Sequence, residues 1–204
     1  MIISILATHS SCSSIRASSS SAVDGDYIIY PQRYPYTGMK VYCRFIDGGK
    51  AEHWITLNPD TNFAHWDGRR YLEVTKCGGA FQTNFDLPSA GYTKFSKIKI
   101  IDMINLEIAN DYSFSTTISG NPVPYGSAHD CHGSGPCPLS KFKIDLTGTC
   151  VRLRDKATWI HQGPHALMTV VQANENRTVF SAKCGGDCGG CGPVIFIQPM
   201  DECE

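Results

Sequence analysis

The sequence predicts an all-β domain, mostly antiparallel strands joined by long loops and stapled by disulfides. Three observations predict it. Apolar residues recur with a period of two in several short segments, the mark of a strand with one buried face. No segment keeps a helical period over three turns, as a core-facing helix would. Ten cysteines, an even number, are spread along the 204 residues, which reads as a disulfide framework of an oxidising compartment. A chain of this length buries roughly 70% of its unfolded surface, so the disulfides add to a core and do not replace one.

The elements follow in order. Ile2 to Ala7 is a short apolar run with no basic residue before it, too weak for a clear secretory leader. Residues 1–11 therefore read as a weak signal-like stretch or the start of a fragment, and 12–204 as the domain. Residues 13–22 are mostly serine and read as a flexible linker, while Ser10 to Ser18 is the best of the short helix candidates. Tyr27 to Tyr30 is a strand stopped by Pro31, and Met39 to Phe45 alternates Met39, Val41, Cys43 and Phe45 against Lys40, Tyr42 and Arg44. Tyr71 to Val74 is a further candidate. In 95–101, Ile98 and Ile100 oppose Lys97 and Lys99; in 141–146, Phe142, Ile144 and Leu146 oppose Lys141, Lys143 and Asp145; in 151–154, Val151 and Leu153 oppose Arg152 and Arg154. Thr147-Gly148-Thr149 reads as a hairpin turn between two of these strands. Asn121 to Pro124 and Gly133 to Pro138 are loops. Ala166 to Gln172 and Thr178 to Ala182 flank a polar tip and form another hairpin, and Val194 to Ile197 is a short apolar strand.

Composition removes several function classes. The net charge is -1 and the isoelectric point near 6.6, which gives no general attraction to nucleic acid. No run reaches the roughly 20 apolar residues of a membrane span. Among the seven histidines, His161 and His165 stand one helical turn apart, but Gly163-Pro164 lies between them with no glutamate; a zinc protease helix needs that glutamate as base and no proline. His53 follows Glu52 without a second histidine at the needed distance. There is no Gly-x-Ser-x-Gly elbow,. No catalytic residue is assigned.

Two clusters admit a metal reading. Cys184, Cys188 and Cys191 could hold zinc or an iron–sulfur cluster; the interleaved glycines favour a disulfide knot, in which a tightly folded backbone sends three sulfurs to three partners. His129-Asp130-Cys131-His132 with Cys137 could ligate zinc, but reads more simply as a loop closed by Cys131–Cys137. All ten cysteines, Cys12, Cys43, Cys77, Cys131, Cys137, Cys150, Cys184, Cys188, Cys191 and Cys203, are assigned to disulfides, Cys150–Cys203 among the pairs, and no metal or cofactor is assigned to the chain. Asn176-Arg177-Thr178 is an N-glycosylation sequon on the hairpin tip. Lys97, Lys99, Lys141, Lys143, Arg152 and Arg154 fall on the polar faces of alternating strands; were those strands to share a sheet, the cations would gather into a surface for sulfated glycosaminoglycan.

Asp24 to Pro31 followed by Val41-Tyr42-Cys43 resembles the opening of GON domains and also that of fibrinogen-like domains. Ala90-Gly91-Tyr92-Thr93-Lys94-Phe95, Gly120 to Tyr125 leading to Asp130-Cys131, Thr158 to Gly163 and the Cys184–Cys191 run fit the GON pattern alone, so that the resemblance covers about residues 12–193. GON domains are ancillary modules of the secreted ADAMTS zinc metalloproteases. The resemblance implies a non-catalytic, extracellular, disulfide-bonded module serving matrix binding, trafficking or substrate positioning, with the zinc and the peptide-bond hydrolysis in a separate domain. The alternative is a free-standing secreted lectin-like or glycosaminoglycan-binding module. The fibrinogen-like opening implies that Cys12 pairs with Cys43. Cys150 and Cys203 look additional to the family pattern, and the Cys77–Ala90 stretch has fewer cysteines than it.

Overall fold

In the computed structural model, the structure describes residues 9–68, 70–71, 81–82, 90–130, 140–154, 158–162, 167–186 and 189–201. The serine-rich start is not a linker. Ser11 caps helix α1 (Cys12–Ser18): its hydroxyl accepts from the Ser14 N–H while the Ser14 hydroxyl accepts from the Ser11 N–H, a reciprocal arrangement that satisfies two helix-end donors. Cys12 and Ile15 are buried, and Cys12 is joined to Cys43 with Cα atoms 5.5 Å apart. Burial of one face and a covalent tie override the composition.

The strands follow as β1 (Gly25–Ile29), β2 (Met39–Ile46), β3 (Lys50–Thr56), β4 (Phe63–Trp66), β5 (Arg70–Tyr71), β6 (Phe81–Gln82), β7 (Gly91–Phe95), β8 (Lys97–Asp102) and β9 (Glu107–Ala109). The second half adds β10 (Ser115–Gly120), β11 (Ala128–Asp130), β12 (Lys141–Asp145), β13 (Val151–Leu153), β14 (Thr158–Gln162), β15 (Leu167–Ala173), β16 (Val179–Gly185), β17 (Gly189–Val194) and β18 (Ile197–Pro199). The described pairings are all antiparallel. A five-stranded sheet runs β1-β2-β3-β8-β9 and a six-stranded sheet runs β10-β7-β4-β12-β16-β15; β11-β17-β14, β13-β18 and β5-β6 form smaller ones. Met39, Val41, Ile55, Ile98 and Ile100 from the first sheet join Ala64, Phe95, Phe142, Ile144 and Ala182 from the second in one core.

Two local expectations change. Thr147 to Thr149 does not close a hairpin: β12 pairs with β4 and β16, and β13 pairs with β18. Gly148 and Cys150 both take positive φ, 75° and 61°, so the chain turns twice and leaves the six-stranded sheet. Val194 to Ile197 is not one strand. β17 ends at Val194 and β18 begins at Ile197, because the run changes partners between them: the Ile195 carbonyl accepts from the Ile108 N–H, and Phe196 bridges to Glu107. The hairpin at 166–182 does form, as β15 and β16. Of the Tyr71 to Val74 candidate, Tyr71 lies in β5 and the rest falls outside the described residues, as does the Gly133 to Pro138 loop.

The cysteine knot also changes. Cys184 pairs with Cys191, seven residues on, so the sulfurs do not go to three partners. Gly185 and Gly186, at positive φ, turn the chain back and bring the two Cα atoms to 5.9 Å. The buried Asp130 carboxylate holds that turn by accepting from the Gly186 N–H at 2.7 Å and the Ser140 N–H at 3.1 Å. The pairing also removes two of the three thiolates that a zinc or iron–sulfur site would need. Cys150 is disulfide-bonded; Cys77, Cys131, Cys137, Cys188 and Cys203 lie outside the described residues, and with them the Cys131–Cys137 and Cys150–Cys203 pairings.

A buried histidine sits behind the helix. His53 lies opposite Cys43 on β2 and Ile100 on β8, and its Nε2 accepts from the Cys12 N–H at 3.0 Å. That bond needs a neutral ring. Burial lowers the His53 pKa from 6.5 to about 4, with Glu52 pulling the other way. The unfolded chain takes up this proton near 6.5 and the folded chain near 4. The resulting stability is therefore whole above pH 6.5 and is lost as pH falls from 6.5 to 4, about 3 kcal/mol in all. Urea unfolding of wild type and His53→Gln at about pH 7.5 and about pH 4.5 checks this. The wild type should lose more stability than the variant over that interval; equal losses would contradict it.

Candidate functional site on the six-stranded sheet

The six expected cations do not share a sheet. Lys97 and Lys99 are on β8 in the five-stranded sheet, Lys141 and Lys143 on β12 in the six-stranded sheet, and Arg152 on β13 in a two-stranded one with Arg154 just past its end. Alternation aims each side chain outward but does not choose its neighbours. Several are also engaged locally. Lys99 pairs with Glu52 at 2.6 Å and Asp111 at 3.2 Å, and these hydrogen bonds, Glu52 first, raise its pKa against the opposing effect of burial. The Lys97 ammonium lies over the Tyr42 ring at 4.5 Å. Arg154 donates to the Asn105 carbonyl at 2.9 Å and lies over Phe196.

The register of the six-stranded sheet makes a different grouping. Lys141 on β12 stands between His65 on β4 and Lys183 on β16. His65 is in turn opposite Tyr92 on β7, and Tyr92 opposite Ser119 on β10. In the next row Lys143 stands between Phe63 and Ser181, and Phe63 is opposite Lys94, itself opposite Thr116. The alternate residues Ala64, Thr93, Phe95, Phe142, Ile144, Ala182 and Cys184 are buried, so these two rows form the solvent face. Phe63 and Tyr92 meet edge to face at 5.6 Å and His65 and Tyr92 at 5.8 Å. The Lys141 ammonium lies 5.9 Å from the Phe63 ring centre.

Two of the four lysines have carboxylates. Lys94 is 2.9 Å from Asp60 and Lys143 is 3.3 Å from Asp145. The Asp60 hydrogen bond raises the Lys94 pKa; burial would raise that of Asp145, but Thr147 and Lys143 hold it below the ordinary value. Lys141 and Lys183 are both exposed, and no ion pair joins either to a carboxylate among the described residues. They face each other on neighbouring strands, where like charges are destabilising. At the Ser119 end the face adjoins a cleft of about 340 Å³ lined in part by His65, Trp66, Asp67, Gly91 and Ser119. The Trp66 indole N–H donates to the Ser127 hydroxyl at 3.1 Å, which fixes the ring at the cleft wall.

Sequence reasoning missed Lys94 and Lys183. Both sit in a period-two pattern, Tyr92 and Lys94 against Thr93 and Phe95, and Ser181 and Lys183 against Ala182 and Cys184. A threonine and a cysteine on the buried side weaken that signal. His129 and Asp130 of the second metal candidate are described, and Asp130 holds the Gly186 turn; Cys131, His132 and Cys137 fall outside the described residues. Among the described residues no group of three or more histidine, cysteine, aspartate or glutamate side chains is placed to hold a metal, and no helix is long and apolar enough to cross a membrane.

The chain matches the GON domain family over residues 9–197. It belongs to that family. The GON chain is 33% identical over 190 residues to human "A disintegrin and metalloproteinase with thrombospondin motifs 20", covering 89% of this chain and 10% of that protein. It is 30% identical over 195 residues to "A disintegrin and metalloproteinase with thrombospondin motifs gon-1" of Caenorhabditis elegans, covering 92% and 9%. The mouse counterpart of the human protein is 29% identical. The chain thus spans about a tenth of the length of these relatives. No solved structure matches it.

The sequon of this GON domain sits on the β15–β16 tip. The Asn174 side-chain amide spans the turn, its oxygen accepting from the Thr178 and Val179 N–H groups and its nitrogen donating to the Thr178 hydroxyl. Asn176 is left exposed. Expressed through a eukaryotic secretory pathway, the chain should carry one glycan there. A gel shift removed by peptide N-glycosidase and missing in Asn176→Gln checks this; an identical shift in the variant would contradict it.

Proposed function

We propose that this GON domain is a non-catalytic ancillary module of an ADAMTS-type extracellular zinc metalloprotease and that its work is to hold the protease to the extracellular matrix. The observation that supports this most is the pairing of a family match along nearly the whole chain with an exposed face that gathers four lysines around three aromatic rings. Such a face attracts anionic matrix without any reacting group. Zinc and hydrolysis belong, on this reading, to another domain of the parent. The disulfides fit secretion.

Deleting the module from a full-length parent tests the reading. Cleavage of a short soluble peptide should be unchanged in kcat/KM, while the fraction of enzyme held in the pericellular matrix falls. Loss of peptide cleavage by a correctly folded truncated enzyme would place catalysis in the module. Unchanged matrix retention would remove the anchoring role.

A further inference from the structure

We propose that the outer face of the six-stranded sheet binds a linear sulfated polysaccharide of the heparan class, with Lys141 and Lys183 as its central contacts and Lys94 and Lys143 beside them. The proposal rests on the matrix-holding reading above and names its ligand and residues.

Lys141 and Lys183 are direct cross-strand partners, on strands about 4.8 Å apart. Both are exposed and joined to no carboxylate among the described residues. Two ammonium groups so placed repel each other in the free protein. An anionic group between them converts the repulsion into two attractions, so the pair binds an anion more strongly than two scattered lysines would.

The second row extends the site. Lys94 and Lys143 flank Phe63, one strand to either side, which separates them by roughly 10 Å. Their partners Asp60 and Asp145 hold them over the sheet; Asp60, with 80% of its side chain exposed, can give way to a competing anion at little cost, since exposed pairs are weak. Four ammonium groups in two rows on a flat pleated surface suit an extended chain with repeated charges, not a single phosphate. Phe63, Tyr92 and His65, in edge contacts among the lysines, add apolar ring surface for the C–H faces of pyranose rings. An acidic peptide would use the ammonium groups and leave those rings idle. The near-zero net charge of the chain hides this field, because it averages over both sheets.

The test uses the 204-residue chain on immobilised heparin and by titration with soluble heparin, beside Lys141→Ala/Lys183→Ala and a control, Lys50→Ala, at an exposed lysine of the five-stranded sheet. Thermal unfolding first verifies that all three are folded. The double variant should bind heparin roughly tenfold more weakly than wild type and elute at lower salt, and Lys50→Ala should match wild type. Equal elution of wild type and double variant overturns the site. An equal loss in Lys50→Ala overturns it too, since the effect would follow total charge. Displacement of heparin by polyglutamate at equal charge concentration overturns the polysaccharide assignment in favour of acidic protein. No retention of the folded wild type overturns the ligand class, while the matrix-holding reading stands or falls separately on the deletion measurement.

Discussion

Replacing Asn62 by alanine should destabilise this domain by about 4 kcal/mol. Asn62 is fully buried just before β4 and ties three segments together. Its amide nitrogen donates to the carbonyls of Asn58 at 3.0 Å and Asp145 at 2.9 Å. Its oxygen accepts from the Tyr125 hydroxyl at 2.7 Å and the Asp145 N–H at 2.9 Å. Alanine would strand the Asp145 N–H, the Asp145 carbonyl and the buried Tyr125 hydroxyl, and each stranded buried group costs about 1–3 kcal/mol. Burial raises the Tyr125 pKa well above 10, so the hydroxyl stays a donor at any pH the protein meets. Tyr125→Phe leaves Asn62 its other three bonds and should cost about 1 kcal/mol. In the Asn62→Ala background the same change should instead restore about 1 kcal/mol or more, because it removes a buried hydroxyl that has lost its partner. Urea unfolding of the two single variants and the double variant measures all three quantities. A loss under about 1 kcal/mol in Asn62→Ala would show that water replaces these bonds and that the three segments are held by packing alone.

Gly91→Ala is the second large effect. Gly91 opens β7, and a Cβ there would stand 1.9 Å from the Asn121 carbonyl oxygen and 2.8 Å from its nitrogen. Those are backbone atoms, so no side chain can rotate out of the way. The close approach is mutual: a Cβ added at Gly120, which takes φ +62°, would collide with the Ala90 carbonyl and stand 2.9 Å from the Gly91 Cα. Alanine at 91 must separate β7 from the chain after β10, at about 3–5 kcal/mol. Gly25→Ala is the matched control, since a Cβ there meets nothing nearer than 4.0 Å and should cost less than about 1 kcal/mol. The shift at 91 begins next to Tyr92, so the row Tyr92, His65 and Lys141 should move with it. A Gly91→Ala variant as stable as Gly25→Ala would show that the strand end adapts freely and that the face is not rigidly framed at this side.

How much of this was legible depended on whether the signal was local. The strands β2, β8, β12 and β13 were readable because Val41, Ile98, Phe142 and Val151 and their alternate neighbours face one core. The short helix was readable at Ser10 to Ser18, though its serines suggested a linker; the reason it forms is the burial of Cys12 and Ile15, which composition does not reveal. β10 has no apolar face, being exposed along nearly its whole length, so periodicity had nothing to register. The hairpin expected at Thr147 to Thr149 failed for a nonlocal reason. β12 is claimed on both sides by β4 and β16, which leaves β13 no place beside it. The same limit applies to the site. Alternation showed that Lys141 and Lys143 point outward, but that Lys183 and Lys94 join them while Lys97 and Lys99 do not is a property of sheet order. The Cys12–Cys43 bond came from the resemblance and not from spacing.

Fusing the chain to an inert secreted reporter, and comparing the reporter in medium and in deposited matrix, tests whether this face holds the domain to matrix. With the wild-type chain, the reporter should accumulate in the matrix and be released by heparan-degrading enzyme; with Lys141→Ala/Lys183→Ala, it should stay largely in the medium. A reporter that partitions the same way with and without the GON chain would contradict the account.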